Sequence, residues 1–261
     1  MLAELLGQER GLCAGRGGHM HLFSKAHLIA TTGIVGAPAP LGAGFALALK
    51  RLTPGAVAFA FVGDGAANQG LSLETLNLAS VWRLPLLLVC KDNRWAVTTW
   101  SKDVTAGDHV TRARAFGLVA ESVDGMDPIA VWQATERLLA HVRAGRGPAL
   151  LHARCTRLDG HFLGDRMVRA ARDLDEGADM GKGVIENVAA RRGGRVRDRL
   201  RALARVGGSV VRLRAGLGRK NDPTRLPAGT LGLSEHARRR IDADVDNEVQ
   251  AAVRAVTQEA A

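Results

Sequence analysis

The stretch VGDGAANQGLSLETLNLASVWRLPLLLVCKDNRWAVT, Val62 to Thr98, decides the fold. One apolar run, Ala56 to Val62, stops in Gly63-Asp64-Gly65, and a second, Leu84 to Cys90, stops in Lys91-Asp92-Asn93. Continuous apolar runs parted by a helix-length segment predict two buried parallel strands of a βαβ unit, because helices cover both faces of such a sheet. The two polar clusters then fall at the carboxyl ends of neighbouring strands, the edge where open parallel sheets bind ligands. Asp64 offers a hard carboxylate oxygen and Asn93 an amide oxygen, while Gly63, Gly65 and Gly70 let backbone N–H groups approach an anion. That combination suits a magnesium ion holding a diphosphate, since Mg²⁺ takes one or two protein carboxylates and completes its shell with phosphate oxygens and water.

Further blocks extend the pattern: GGHMHLF at Gly17 to Phe23, GIVGAPAPLGAG at Gly33 to Gly44, VDGMD at Val123 to Asp127, GRGPALL at Gly145 to Leu151 and GHFLGD at Gly160 to Asp165. With the GDG at Gly63 to Gly65 and Asn93, these occur in the order found in the alpha subunits of thiamine-diphosphate-dependent 2-oxo acid dehydrogenases, the pyruvate, branched-chain and acetoin group. The chain resembles that family from its start to Asp165. The resemblance implies an α/β fold, three-layered, with a mainly parallel sheet, and implies thiamine diphosphate and Mg²⁺ as cofactors. It carries over Asp64 and Asn93 as metal ligands, with the Trp95 main-chain carbonyl as a third. Gly63, Gly65 and Ala66 would meet the diphosphate, Asn68 would support their loop, and the backbone at Gly33 and Val35 would hold the aminopyrimidine. His161 corresponds to the family's loop histidine at the diphosphate, and His21 to a histidine near the active-site channel.

Each of these residues also has a plainer reading. Asp64 alone is a helix N-cap, Gly33 a glycine turn, and His19 with His21 a pair of exposed loop histidines; His19 stands where the family has Ser. Thr32 replaces a common Asn, Asp92 the first Asn of an Asn-Asn pair, Asp159 an aromatic or His, and Phe162 a Ser that is phosphorylated in some members. The GHF-x-GD form is nearer to acetoin-dehydrogenase-type subunits. The family also implies partners, since the activating glutamate comes from a separate beta subunit in an assembly of two alpha and two beta chains, and the acyl group passes to a lipoyl acyltransferase. A substantial segment that the family places upstream of Met1 has no counterpart in this sequence, so the resemblance predicts uncovered apolar surface near the Ala56 strand.

At 261 residues with 46% hydrophobic content the chain can bury a sizeable core. No apolar run approaches a membrane span of roughly 20 residues, and MLAELLGQER lacks the basic flank of a signal peptide, so a cytoplasmic protein is expected. Cys13, Cys90 and Cys155 cannot all pair with one another. The net charge of +10 is local: residues 191–225 hold 12 Lys and Arg against Asp198 and Asp222, and the remaining 24 basic and 24 acidic residues cancel. A nucleic-acid or acidic-partner role would rest on that segment alone, whose plainer reading is a solvated basic helix; nucleic acid is therefore not the expected partner. An inactive, truncated remnant of the same family is the other alternative.

In chain order, Met1 to Gly11 reads as a helix tail with Leu2, Leu5 and Leu6 on one face. A helix runs from the turn at Gly33–Gly44 to about Arg51, and Thr98 to Val110 reads as a polar, mobile loop. A strand at Leu118–Val123 leads to a helix capped by Asp127, with Pro128 first and a face of Val131, Trp132, Leu138, Leu139 and Val142. Ala149 to Cys155 is the next strand. Residues 1–165 form the cofactor-binding core, 166–230 a basic divergent segment, and 231–261 a C-terminal helix carrying Ile241, Val245, Val249, Val253 and Val256.

Overall fold

Four short segments pair side by side in the computed structural model, which describes residues 1–157, His161, scattered positions between 181 and 211, and 222–257. In chain order they are β3 (Ala58–Gly63), β4 (Leu86–Asp92), β7 (Val119–Asp124) and β8 (Ala149–Arg154). The sheet is parallel throughout, in the order β3-β4-β8-β7. Two-residue ladders β1 (Phe23–Ser24) with β2 (Ile29–Ala30), and β5 (Trp95–Ala96) with β6 (Thr99–Trp100), lie outside it. The second apolar run starts its ladder at Leu86 rather than Leu84 because Pro85 has no N–H to donate; its carbonyl instead accepts from Ala58.

Helices cover both faces, which makes three layers. Alternate strand residues Ala58, Ala60, Val62, Leu86, Leu88 and Cys90 pack against α2 (Pro38–Leu52), α3 (Gly70–Val81) and α4 (His109–Ala115). The intervening residues Leu87, Val89, Ala149 and Leu151 pack against Ala134, Leu138 and Val142 of α5 (Pro128–Arg143). Gly42 lets α2 sit close on the sheet: a Cβ there would lie 2.6 Å from that of Ala60. Asp127 caps α5, accepting from the N–H groups of Ile129 and Ala130, and Pro128 opens it.

Several local expectations fail for physical reasons. The first helix, α1, is the single turn Leu2–Leu5, and its buried residue is Glu4; Leu5 and Leu6 are exposed. Trp132 is 67% exposed, because α5 presents Ala134 and Leu138 to the sheet instead. The polar stretch after Thr98 is ordered as β6, a turn at Ser101–Asp103 and the start of α4, with Ser101 and His109 buried. Asp108 caps α4 through the Thr111 N–H. Cys90 is a buried core thiol whose pKa burial pushes up.

β3 is an edge strand, and α5 packs mainly on β8, β7 and β4. Phe59 and Phe61 therefore stand 43% and 55% exposed, their rings stacked at 6.3 Å. The C-terminal helix, α6 (Glu235–Thr257), starts at the Ser234 hydroxyl, which accepts from Ala237 N–H. Its Ile241, Val245 and Val249 are half exposed, and its last turn meets the chain start, where Gln8 Nε2 donates to Val256 O at 2.8 Å. Among the described residues no helix is long and apolar enough to cross a membrane.

Candidate functional site

The parallel register brings the ends of all four strands to one edge, with Gly63 opposite Lys91, and Asp92 opposite Arg154, itself opposite Asp124. Asp64 and Asn93, one residue beyond β3 and β4, follow at that edge. Asp64 is 2% exposed, and its Oδ2 has no hydrogen-bond partner. Burial pushes its carboxyl above the usual range, and the Ser101 hydroxyl only partly offsets this. A buried, half-unsatisfied carboxylate is costly unless something charged or protic completes it.

Asn93 and the Trp95 main-chain carbonyl are the oxygens that could join it on a hard divalent cation. Asn93 Oδ1 accepts the Trp95 N–H at 2.9 Å, which fixes the amide and leaves a second lone pair. Trp95 is buried, its ring edge-on to Trp100 with centroids 4.9 Å apart. One carboxylate, one amide oxygen and a main-chain carbonyl would make a set that phosphate oxygens and water could complete. Among the described residues no three His, Cys, Asp or Glu converge as a metal cluster of their own.

The loop after Asp64 turns directly into a 3₁₀ helix, Ala66–Asn68, and then α3, so the first amides of the 3₁₀ turn follow on Asp64. Asn68 is fully engaged: its Nδ2 donates to Asp64 O at 3.3 Å and Thr105 Oγ1 at 2.9 Å, and its Oδ1 accepts from Arg112 at 2.5 Å. Thus the segment 101–112 holds the GDG loop. Gly65 and Gly36 let neighbouring backbones close in, since a Cβ would lie 2.5 Å from Ala96 Cβ at the first and 2.8 Å from Gln69 Cβ at the second, where φ is also +88°. The turn carrying Gly33 and Val35 therefore abuts the cap of α3. Both residues are exposed, and the Cβ position of Gly33 is 3.5 Å from His21 Nε2. His21 is exposed there, and His161 is exposed in a bend. Asp159 and Phe162 lie outside the described residues.

Sequence reasoning missed the group next to the metal candidates. Asp92 Oδ2 lies 3.0 Å from His152 Nε2, whose Nδ1 is 3.1 Å from Ser122 Oγ, and the His109 ring is 5.6 Å from that of His152. Burial works to raise the Asp92 carboxyl, but the His152 hydrogen bond and the Arg94 N–H at 2.8 Å outweigh it and hold it below the usual range. Burial and the neighbouring His152 push His109 down. Asp92 thus turns toward His152 on β8. No sequence signal links residues 60 and 30 positions apart; only the register β4-β8-β7 does.

The chain is a parallel three-layer α/β domain, a class of fold whose open sheets take ligands at the carboxyl edge, where this one sets a buried carboxylate. Residues 1–191 match the sequence model of the family described as Dehydrogenase E1 component, and the chain belongs to that family. It is 44% identical over 180 residues to the alpha subunit of acetoin:2,6-dichlorophenolindophenol oxidoreductase of Cupriavidus necator, covering 67% of this chain and 54% of that one. It is 38% identical over 193 residues to the pyruvate dehydrogenase E1 component subunit alpha of Rhizobium meliloti, covering 73% and 56%. With the human somatic mitochondrial counterpart the figures are 39% over 165 residues, covering 63% and 42%. The chain thus spans about half the length of the curated relatives it matches.

Proposed function

We propose that this chain is the cofactor-binding alpha subunit of a thiamine-diphosphate-dependent 2-oxo acid dehydrogenase, acting on pyruvate or a related 2-oxo acid, or on acetoin. The observation that carries the proposal is Asp64, a carboxylate buried at the sheet edge with one oxygen unpartnered, in a chain of the E1 family. Asp64, Asn93 and the Trp95 carbonyl would hold Mg²⁺, and Gly63, Gly65 and Ala66 would receive the diphosphate. The exposed backbone at Gly33 and Val35 would take the aminopyrimidine, and Asn68 would keep the phosphate loop in place.

Thiamine diphosphate supplies the carbanion-stabilising chemistry when bound. The protein's share is binding and orientation. Buried Asp64 fixes the charge that the metal neutralises, and the helix-start amides stabilise phosphate charge without reorganising. His21, beside Gly33, and His161 would hold or pass protons. The activating glutamate would come from a beta subunit in an assembly of two alpha and two beta chains, and a lipoyl acyltransferase would accept the acyl group. We place the enzyme in the cytoplasm, with residues 1–165 as the cofactor-binding core, 166–230 as a separate basic segment and 231–261 as a terminal helix.

Calorimetry with thiamine diphosphate, on the chain alone and mixed with a beta subunit, tests this reading. Binding should require Mg²⁺ and vanish with a chelator, and the mixed complex should reduce a dye acceptor with pyruvate or acetoin. Affinity that ignores Mg²⁺ would sink the site assignment.

A further inference from the structure

Glu4 carries a charge into the interior with only 1% of its surface exposed. Its Oε2 accepts from the N–H groups of Cys13 at 2.8 Å and Gly15 at 2.9 Å, and its Oε1 from that of Gly17 at 2.5 Å. These amides converge because Ala14 (φ 54°) and Gly15 (φ 72°) adopt the left-handed region. Such a concave run of N–H groups is an anion-binding nest, and here the anion is a side chain of the same protein. Burial would raise the Glu4 carboxyl, but the backbone donors hold it below its usual range.

The loop leads straight to the site. Gly17 O accepts the His21 N–H at 3.1 Å, and Cys13 Sγ lies 3.4 Å from His21 O. At Gly17 a Cβ would meet His21 O at 2.1 Å, so the two segments are pressed together. His21 Nε2 in turn lies against Gly33, whose turn abuts the α3 cap through Gly36 and Gln69. Behind Glu4, the chain start is braced by α6, since Gln8 and Arg10 donate to Val256 O and Ala255 O.

We propose that Glu4 is a positioning residue for the cofactor site: its carboxylate winds the 11–18 loop and thereby sets His21 beside the Gly33 turn. The inference deepens the function proposed above and rests on its placement of His21 at the cofactor. Glu4 does not reach the ligand. Its effect passes through the loop, whose left-handed residues have no reason to gather their amides without the charge.

The test uses Glu4→Gln in the full chain, with hydrogen exchange resolved over residues 11–21 and calorimetry with thiamine diphosphate and Mg²⁺ in the presence of the beta subunit. The neutral amide should speed exchange at Cys13, Gly15 and Gly17 by about tenfold or more, the scale of one lost charge-assisted hydrogen bond. Exchange in β4 and β8 should stay as in the wild type. Cofactor affinity should fall, and the loss should not add to that of His21→Ala, because both changes remove the same placed imidazole. Glu4→Asp, which keeps the charge, should restore part of the loop protection. Should Glu4→Gln fail to fold, Gly17→Ala displaces the loop from its other side and should weaken the cofactor with the same non-additivity. Unchanged loop exchange in Glu4→Gln, or losses that add fully with His21→Ala, would overturn the proposal. Released loop amides with unaltered affinity in both Glu4→Gln and His21→Ala would leave the clamp standing and remove His21 from the cofactor site.

Discussion

Asp64→Asn separates the two roles of the buried carboxylate, because stability and binding should move in opposite directions. In the ligand-free protein Asp64 Oδ2 is buried without a partner. The ionised form has lost its hydration with only partial compensation from the Ser101 hydroxyl, and an unsatisfied buried group of this kind costs about 1–3 kcal/mol. Asn keeps the shape and removes the charge but leaves a neutral amide atom in place of Oδ2, so the protein should gain stability of up to that order at pH 7. For a domain of 150–250 residues each kcal/mol is worth roughly 2–4 °C in Tm, and the melting point should rise by up to about 12 °C. The sign with pH follows from the raised pKa of Asp64. The folded state prefers the protonated acid, so wild-type stability from this group is greatest below the unfolded pKa, near 4, and declines as pH rises through the folded value. The stabilisation by Asp64→Asn should therefore vanish below about pH 4 and grow as pH rises through the raised folded value. Mg²⁺-dependent binding of thiamine diphosphate should be lost at every pH. Scanning calorimetry from pH 3.5 to 8, with and without cofactor, reads both effects. A variant that melts lower than the wild type at pH 7 and still binds would refute the argument.

Three further outcomes are expected. His152→Ala removes the donor that holds the Asp92 carboxyl low, so the stabilisation now present above the ordinary carboxylate range should be lost at a higher pH on acidification; the acid-unfolding midpoint should shift upward, with about 1–3 kcal/mol of stability lost at neutral pH. Replacing Phe59 and Phe61 with Ser should cut binding of a hydrophobic dye and slow aggregation with little loss of stability, and an unchanged dye signal would show that the β3 edge is not the exposed patch. Deletion of residues 191–220 should abolish salt-sensitive binding to DNA or heparin and leave cofactor affinity intact, as titrations at two ionic strengths would show.

The class of the fold and the order of the site blocks were legible along the chain because they are local. Continuous apolar runs ending in Gly63-Asp64-Gly65 and Lys91-Asp92-Asn93 state parallel strands and their carboxyl ends, and Asp127-Pro128 states a helix start. The run Ala56 to Val62 reads as buried throughout, yet Phe59 and Phe61 stand exposed because β3 is the edge strand. What tertiary structure alone decided is long-range. Asp92 reads only as part of the polar cluster that ends the second apolar run, and the β4-β8-β7 register sets it on His152, which in turn meets Ser122. Glu4 sits in a leucine-rich stretch that reads as an apolar helix face, yet it is the buried member, because amides from Cys13 to Gly17 satisfy its charge. Likewise the 98–110 segment, polar by composition, is ordered because Ser101, Thr105 and Arg112 close around Asp64 and Asn68. Hydrophobic period is written in neighbouring residues, whereas burial of a charge depends on partners that folding brings from elsewhere in the chain.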